Sequence, residues 1–417
     1  MLETYQHQII SLSESGLSGR EIARQLGIGK SRVNDFLKLY REGVIKVEES
    51  IDPDKEIIEK SIKLAFQNQK LQDVQRVDKK AFREYGRIFN VLEELNESLI
   101  DILENHNLSK YTSIHKDSDD CPIGVVHLSD LHFTQVIYDV IGNKYDFSVA
   151  SKRLEKFVEK TKTYFKAYGV TKVALFLTGD LISSSRRLDE ITSNATNCSN
   201  AVFVAVDILQ QLILSLNEEF NVTVASVIGN ESRITEDIHF SKLIASDNYD
   251  IMIHTMLSYL FKDSEGVVFL DMVDPTEKVV NVNGQNFLLI HGNLHSGIAR
   301  TSNMELGVAK IKARYASQGV DIRYVLMGHI HQAFVSDLFS RSSGLPGDGA
   351  YSQKALNLSG RSSQNAFLVW EDGSIDGIKI DLQEYNNYSG YKFDEHLETY
   401  NKFTNKTGTV VIQSVLI

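Results

Sequence analysis

Five short stretches of the chain carry side chains that can bind a divalent cation. They are Asp130 and His132 in HLSDLHF, Gly179-Asp180 in LTGDL, Gly229-Asn230 in VIGNES, His291-Gly292 in LIHGN, and His329 with His331 in LMGHIHQ. Taken singly, a Gly-Asp pair or a His-x-His is an ordinary turn or surface feature. Together they offer carboxylates, imidazoles and one amide, which is what a pair of cations requires. Two divalent ions about 3.5–4 Å apart need a bridging carboxylate plus nitrogen and oxygen ligands on both sides. A mixed Asp, His and Asn set suits Mn²⁺, Fe²⁺ or Zn²⁺, whereas an all-oxygen shell favours Mg²⁺ or Ca²⁺. Such a pair activates water and stabilises the charge on a phosphoryl group during in-line displacement.

The elements that must position these groups are short strands. Apolar runs at Ile123–Leu128, Val173–Thr178, Val222–Ile228, Phe287–His291 and Ile322–Met327 each lead directly into one of the five stretches. Further strand-like runs lie at Val267–Leu270, Ala355–Leu358 and Ala366–Trp370. Helical stretches alternate with them, so the region predicts an α/β domain with polar groups at the carboxyl ends of its strands, where open α/β sheets place their sites.

The ordered series D-x-H, G-D, G-N, H-G, G-H-x-H resembles the calcineurin-like metallophosphoesterases, over about residues 122–370. The resemblance implies a four-layer α/β/β/α sandwich, here at 122–382, and a two-metal site. Carried over residue by residue, it implies that Asp130, His132 and His331 hold the first metal. Asp180 bridges, and Asn230, His291 and His329 hold the second. The sequence departs from the family at two positions. Glu231 stands where a histidine usually follows the Gly-Asn, and Ser183 stands where many nuclease members carry a histidine after the bridging aspartate. A glutamate beside two cations is ionised at neutral pH, which makes it a poor general acid. Glu231 then orients a water or binds metal, or another residue takes the missing role, with His239, His295 and Arg233 as candidates. The loops also carry Arg186, Arg187, Arg233, Arg300 and Arg361, from which contacts to substrate phosphates are expected.

The flanking segments suggest where such an enzyme acts. In residues 1–45, Tyr5, Ile9, Ile10 and Leu12 share a helical face. Ser18 with Glu21 forms a capping box for a second helix carrying Ile22, Ala23 and Leu26. After Gly27-Ile28-Gly29, Lys30 to Arg41 reads as a third helix with Val33, Phe36, Leu37 and Tyr40 inward. The stretch GREIARQLGIGKSRVNDFLKLYREG resembles the helix-turn-helix domains of resolvases and transposases, and Lys30, Ser31, Arg32 and Asn34 are then the expected DNA contacts. A three-helix protein-binding adaptor is the other reading. Residues 55–105 form a helical connector in which Ala81, Tyr85, Ile88, Leu92, Leu95, Leu99 and Ile102 keep heptad spacing, which predicts a homo-oligomer paired through this helix. Residues 383–417 are a polar tail ending in a strand-like Thr409–Ile417.

Composition sets the outer bounds. The chain has 417 residues with 42% hydrophobic and 24% charged, a globular balance. Two cysteines, Cys121 and Cys198, exclude a disulfide scaffold and a four-cysteine zinc site. No apolar run of membrane-span length and no signal-peptide start are visible, so a cytoplasmic protein without a membrane partner is expected. The net charge of −11 is compatible with a local basic face. The leading expectation is a manganese-dependent nuclease acting on DNA, like the DNA-repair branch of the family. The alternatives are a small-molecule or phosphoprotein phosphatase tethered to DNA, and a DNA-binding regulator on a degenerate phosphoesterase scaffold.

Overall fold

The computed structural model describes residues 5–46, 64, 69, 108–116, 121–140, 142–186, 188–234, 247–294, 304–349 and 360–392. The chain divides into two compact units, Met1–Val91 and Leu92–Ile417. The heptad seam, Ala355–Leu358 and Thr409–Ile417 lie outside the described residues.

In the first unit, α1 (Gln6–Glu14), α2 (Gly19–Leu26) and α3 (Lys30–Arg41) surround a small core of Ile9, Ile22, Val33, Phe36 and Leu37. The Glu21 carboxylate accepts from the Ser18 backbone N–H at 2.8 Å and from its hydroxyl at 2.6 Å. This fixes the start of α2 by satisfying a donor that the first helical turn leaves free. Phe36 stacks on Tyr40 one turn later on α3.

The second unit is a mixed α/β structure with two main sheets. The six-stranded sheet has the order β13-β12-β1-β4-β5-β6, built from β1 (Ile123–Leu128), β4 (Lys172–Leu177), β5 (Asn221–Ser226), β6 (Val267–Phe269), β12 (Ser363–Val369) and β13 (Ile375–Asp381). Its strands β1, β4, β5 and β6 run parallel. The five-stranded sheet has the order β10-β11-β9-β8-β7, built from β7 (Glu277–Val282), β8 (Gln285–Ile290), β9 (Tyr324–Met327), β10 (Phe334–Val335) and β11 (Phe339–Arg341). A small hairpin pairs β2 (Ile137–Val140) with β3 (Asn143–Tyr145).

Period-two alternation sorts the strand side chains between two cores. Val126, Leu128, Leu175, Leu177, Val222 and Val224 cluster with residues of α4 (Phe147–Ala167), α6 (Cys198–Asn217) and α7 (Tyr249–Leu260), the short α5 (Leu188–Ser193) lying between α4 and α6 in the chain. Their alternates Val125, Ala174, Phe176 and Ala225 cluster instead with Phe287, Leu289, Tyr324 and Leu326 of the five-stranded sheet. The outward residues of that sheet, Leu288, Ile290, Val325 and Met327, meet Met304, Val308 and Ile311 of α8 (Met304–Ala316). Burying each such side chain contributes roughly 1.5–3 kcal/mol, so the strands cannot slip by one residue without exposing a whole face.

Helix α6 differs from the sequence expectation, because it is long and apolar enough by length and composition to cross a membrane. Only Asp207, Gln210, Gln211 and Ser215 interrupt its run from Ala201 to Leu216. Its apolar residues have a protein partner: Val202, Ala205, Leu209, Leu212 and Leu216 are buried in the core. Residues 383–392 lie along α4 and α6, where Lys156 donates to the Glu384 carbonyl, Ser151 to that of Tyr391, and Gln211 to that of Lys392.

Candidate metal centre

Parallel pairing places the carboxyl ends of β1, β4 and β5 side by side, and those of β8 and β9 beside each other in the facing sheet. The five stretches therefore emerge along one rim. Backbone hydrogen bonds lock them together: Asp130 N–H donates to Gly179 O and His132 N–H to Asp180 O, each at 3.0 Å. From the other sheet, His329 N–H reaches both oxygens of the Asp130 carboxylate at 3.1 and 3.0 Å.

Five of the candidate ligands have left-handed backbones: Asp130 (φ 53°), His132 (44°), Asp180 (55°), His329 (73°) and His331 (56°). Residues with side chains avoid this region at a cost of order 1–3 kcal/mol each, and such strain collects at functional sites. The only other described non-glycine residue of this kind is Asn283 (49°), which with Gly284 (80°) makes the β7–β8 turn. Gly179 (φ 89°) is needed for a second reason, since a Cβ there would come 2.3 Å from the Gly229 nitrogen.

The side chains converge. His331 Nε2 lies 3.2 Å from Asp130 Oδ1 and 3.1 Å from His132 Nε2. His291 Nε2 lies 3.0 Å from Asp180 Oδ2 and 3.0 Å from Asn230 Oδ1. Two sets, Asp130–His132–His331 and Asp130–Asp180–His291, bring one ligand atom per residue within 4.8 Å of one another. The His329 ring stands 5.2 Å from that of His291, outside both sets. Asp130 and Asp180 are fully buried within this cluster. Two carboxylates and several imidazole nitrogens gathered in a buried space fit a divalent-cation site by donor chemistry.

The electrostatics without cations follow from the same contacts. Burial disfavours the Asp130 and Asp180 carboxylates, but the histidines against them hold both below the usual aspartate range. Burial also disfavours the His291 cation, yet Asp180 at 3.0 Å and Asp130 outweigh it and push its pKa up to about 10. His132 and His329 go the other way, lowered to about 4 chiefly by burial and by neighbouring histidines. The remote ring nitrogens are anchored, so the near ones face the cluster. His291 Nδ1 meets Thr178 O, and His132 Nδ1 meets Ser183 Oγ, both at 2.8 Å. Ser183, where many nuclease members of the resembled family carry a histidine, thus orients a ligand candidate.

Asp250 is a site residue that the sequence reading missed. Its carboxylate accepts from the N–H groups of Asp180 (3.0 Å), Leu181 (3.0 Å) and Gly229 (2.8 Å). Burial and the Asp180 charge raise its pKa to about 6 against those donors. Asn248 caps α7 by accepting from Asp250 N–H and also donates to Gly229 O. In sequence, Asn248-Tyr249-Asp250 reads as nothing more than a helix start with an acidic first turn.

The remaining candidates are distributed as follows. Glu231 lies at the rim with its N–H on Asp180 Oδ1, and Arg186 forms an ion pair with its carboxylate at 2.7 Å. Arg233 donates to the Asn230 carbonyl. Arg361 is turned onto Asp381 at 2.6 Å at the exposed end of β12. Arg187, His239, His295 and Arg300 lie outside the described residues. In the first unit, Lys30, Ser31, Arg32 and Asn34 are exposed at the start of α3, with the Asn34 amide against the Gly19 backbone.

No protein-family model and no curated protein matches the chain. Among solved structures it is similar to Vps29 from Entamoeba histolytica complexed with zinc, at 11% identity over 62% of this chain and 99% of that one, with a TM-score of 0.29. It is also similar to the calcineurin-like phosphoesterase YfkN from Bacillus subtilis, at 10% identity over 67% and 95%, TM-score 0.31. A third is 5'-nucleotidase from Candida albicans, at 11% identity over 69% and 57%, TM-score 0.30. At these scores the likenesses add no weight, and the chemistry rests on the convergent side chains themselves.

Proposed function

We propose that the chain is a two-metal-dependent phosphodiesterase that cleaves DNA at a backbone phosphate. The observation that carries the hydrolytic part is the convergence of buried Asp130 and Asp180 with His132, His291, His331 and Asn230 at neighbouring strand ends. On this reading Asp130, His132 and His331 would hold the first cation, Asp180 would be shared, and Asn230 and His291 would hold the second, with His329 joining from beside His291. Mn²⁺ is the first choice, with Fe²⁺ or Zn²⁺ possible for the same donors. When bound, the pair supplies an activated water and neutralises charge on the phosphoryl oxygens.

The chain's own groups do the rest. The strained backbones aim the ligands before any cation arrives, which lowers the cost of assembling the site. Thr178 and Ser183 fix two imidazoles by their remote nitrogens. Half-buried His331 is the most open of the histidines in the two sets.

DNA as substrate is supported by the first unit, read as a helix-turn-helix. Residues 5–46 hold seven Lys and Arg against four Asp and Glu, in a chain of net charge −11. The exposed Lys30 and Arg32 open α3, the part of a recognition helix that meets base edges. The purified protein with Mn²⁺ is offered linear duplex DNA, single-stranded DNA and p-nitrophenyl phosphate esters. Cleavage of DNA supports the proposal. Hydrolysis of the small esters alone favours the phosphatase, and no hydrolysis favours the regulator.

A further inference from the structure

Glu231 occupies the position after Gly-Asn, and its surroundings give it a task other than proton transfer. An asparagine can serve a cation only through its amide oxygen, since the NH₂ group offers no lone pair. The Asn230 amide has two orientations related by a half-turn, and only one points oxygen toward His291. That orientation is the one present: Oδ1 lies 3.0 Å from His291 Nε2, while Nδ2 donates to Glu231 Oε1. A flip would set the amide oxygen against the Glu231 carboxylate, two acceptors with no proton between them.

Glu231 is itself held in place from three sides. Its backbone N–H donates to Asp180 Oδ1 at 2.6 Å, and its carbonyl accepts from Ser184 N–H at 2.9 Å. The other carboxylate oxygen receives the Arg186 guanidinium at 2.7 Å, and Arg186 Nε is fixed by Ser184 Oγ at 2.6 Å. The Arg186 side chain is 4% exposed and that of Glu231 27%, so the clamp is anchored within the loop by its guanidinium end.

We propose that Glu231 is a positioning residue: clamped by Arg186, it fixes the Asn230 amide so that oxygen, not nitrogen, faces the second cation position. This rests on the two-metal reading above and gives the Arg186–Glu231 pair a part in it. Partners of this kind typically change metal affinity about 10–100-fold when removed.

Mn²⁺ binding to the full chain, by calorimetry and by titration of the free-ion paramagnetic resonance signal, tests the assignment. The wild type should bind two ions. A wild type that binds none or one overturns the two-metal reading itself, and the inference with it. Given two sites, Glu231→Ala should weaken one of them about 10–100-fold. Glu231→Gln should keep it within a few-fold, because its carbonyl still accepts from Asn230 Nδ2. Adding Asn230→Asp to Glu231→Ala should restore the weakened site, because a carboxylate presents oxygen in either orientation. Thermal melts in chelator confirm that each variant folds; if Glu231→Ala does not, Arg186→Met should weaken the same site by a smaller factor. Two intact sites in Glu231→Ala, or failure of Asn230→Asp to rescue, overturns the proposal. So does a Glu231→Gln protein that loses the site as fully as Glu231→Ala, since glutamine keeps the acceptor for Asn230 Nδ2.

Discussion

The Asp250 carboxylate takes the backbone N–H of Asp180 at 3.0 Å, and the same oxygen takes that of Gly229 at 2.8 Å. One buried side chain at the start of a helix thereby joins the loops after β4 and β5, seventy residues from the first of them. Replacing Asp250 with Ala leaves three buried N–H groups without their acceptor. Each such loss costs about 1–3 kcal/mol, so a destabilisation of at least about 3 kcal/mol is expected. Trp370, the only tryptophan, sits at the end of β12 and reports unfolding of this unit in a denaturant titration. An unchanged midpoint would remove Asp250 from this role.

On the proposed two-metal reading Asp180 is the shared ligand, so Asp180→Ala should abolish paired metal binding and hydrolysis together. Calorimetry with Mn²⁺ and an ester assay on the same sample check this. Full activity in the variant would move the bridge elsewhere.

Metal uptake should depend on pH with a defined sign. In the metal-free protein the His291–Asp180 pair raises the imidazole pKa to about 10. Its stabilisation is therefore complete below the ordinary histidine value of about 6.5 and is lost as pH rises through 10. A cation needs the neutral imidazole, so binding must expel that proton. Apparent Mn²⁺ affinity should rise between pH 6 and 8.5, roughly tenfold per unit for each proton displaced. Calorimetry in buffers of different ionisation enthalpy counts the protons, and a count of zero contradicts the charge state assigned to His291.

Lys30→Ala with Arg32→Ala should weaken duplex DNA binding and flatten its salt dependence by about one to two units of slope. Hydrolysis of a small phosphodiester should be unaffected. DNA affinity that is unchanged across a salt titration would favour the protein-binding adaptor.

The heptad residues Tyr85, Ile88, Leu92, Leu95, Leu99 and Ile102 would leave an apolar stripe if unpaired, and burying each contributes roughly 1.5–3 kcal/mol. We expect an oligomer that Leu92→Glu with Leu99→Glu dissociates, as read by light scattering. A monomeric wild type at micromolar concentration would end this expectation.

Much of the second unit was legible from local pattern. The run Ile123–Leu128 coincides with β1, and Val173–Thr178 is displaced by one residue from β4. Buried parallel strands write themselves as short apolar runs, and the polar residues that end them cannot continue into the core. The Asn283-Gly284 dipeptide is a local hairpin signal, and it sits at the turn between β7 and β8. The third helix, Lys30–Arg41, follows from its capping turn and apolar spacing.

By itself the sequence determined which side chains end each strand, because strand periodicity and residue chemistry are local properties. Only the tertiary structure decided which of those ends share a rim. It also decided that Ser183 would serve His132, that Asp250 would tie two loops, and that Arg186 would clamp Glu231 while Arg361 turned to Asp381. These partners lie up to seventy residues apart, and each was chosen by sheet order and by the need of buried donors for acceptors. No spacing rule encodes that choice, since any polar residue brought to the same place by the fold could have met it.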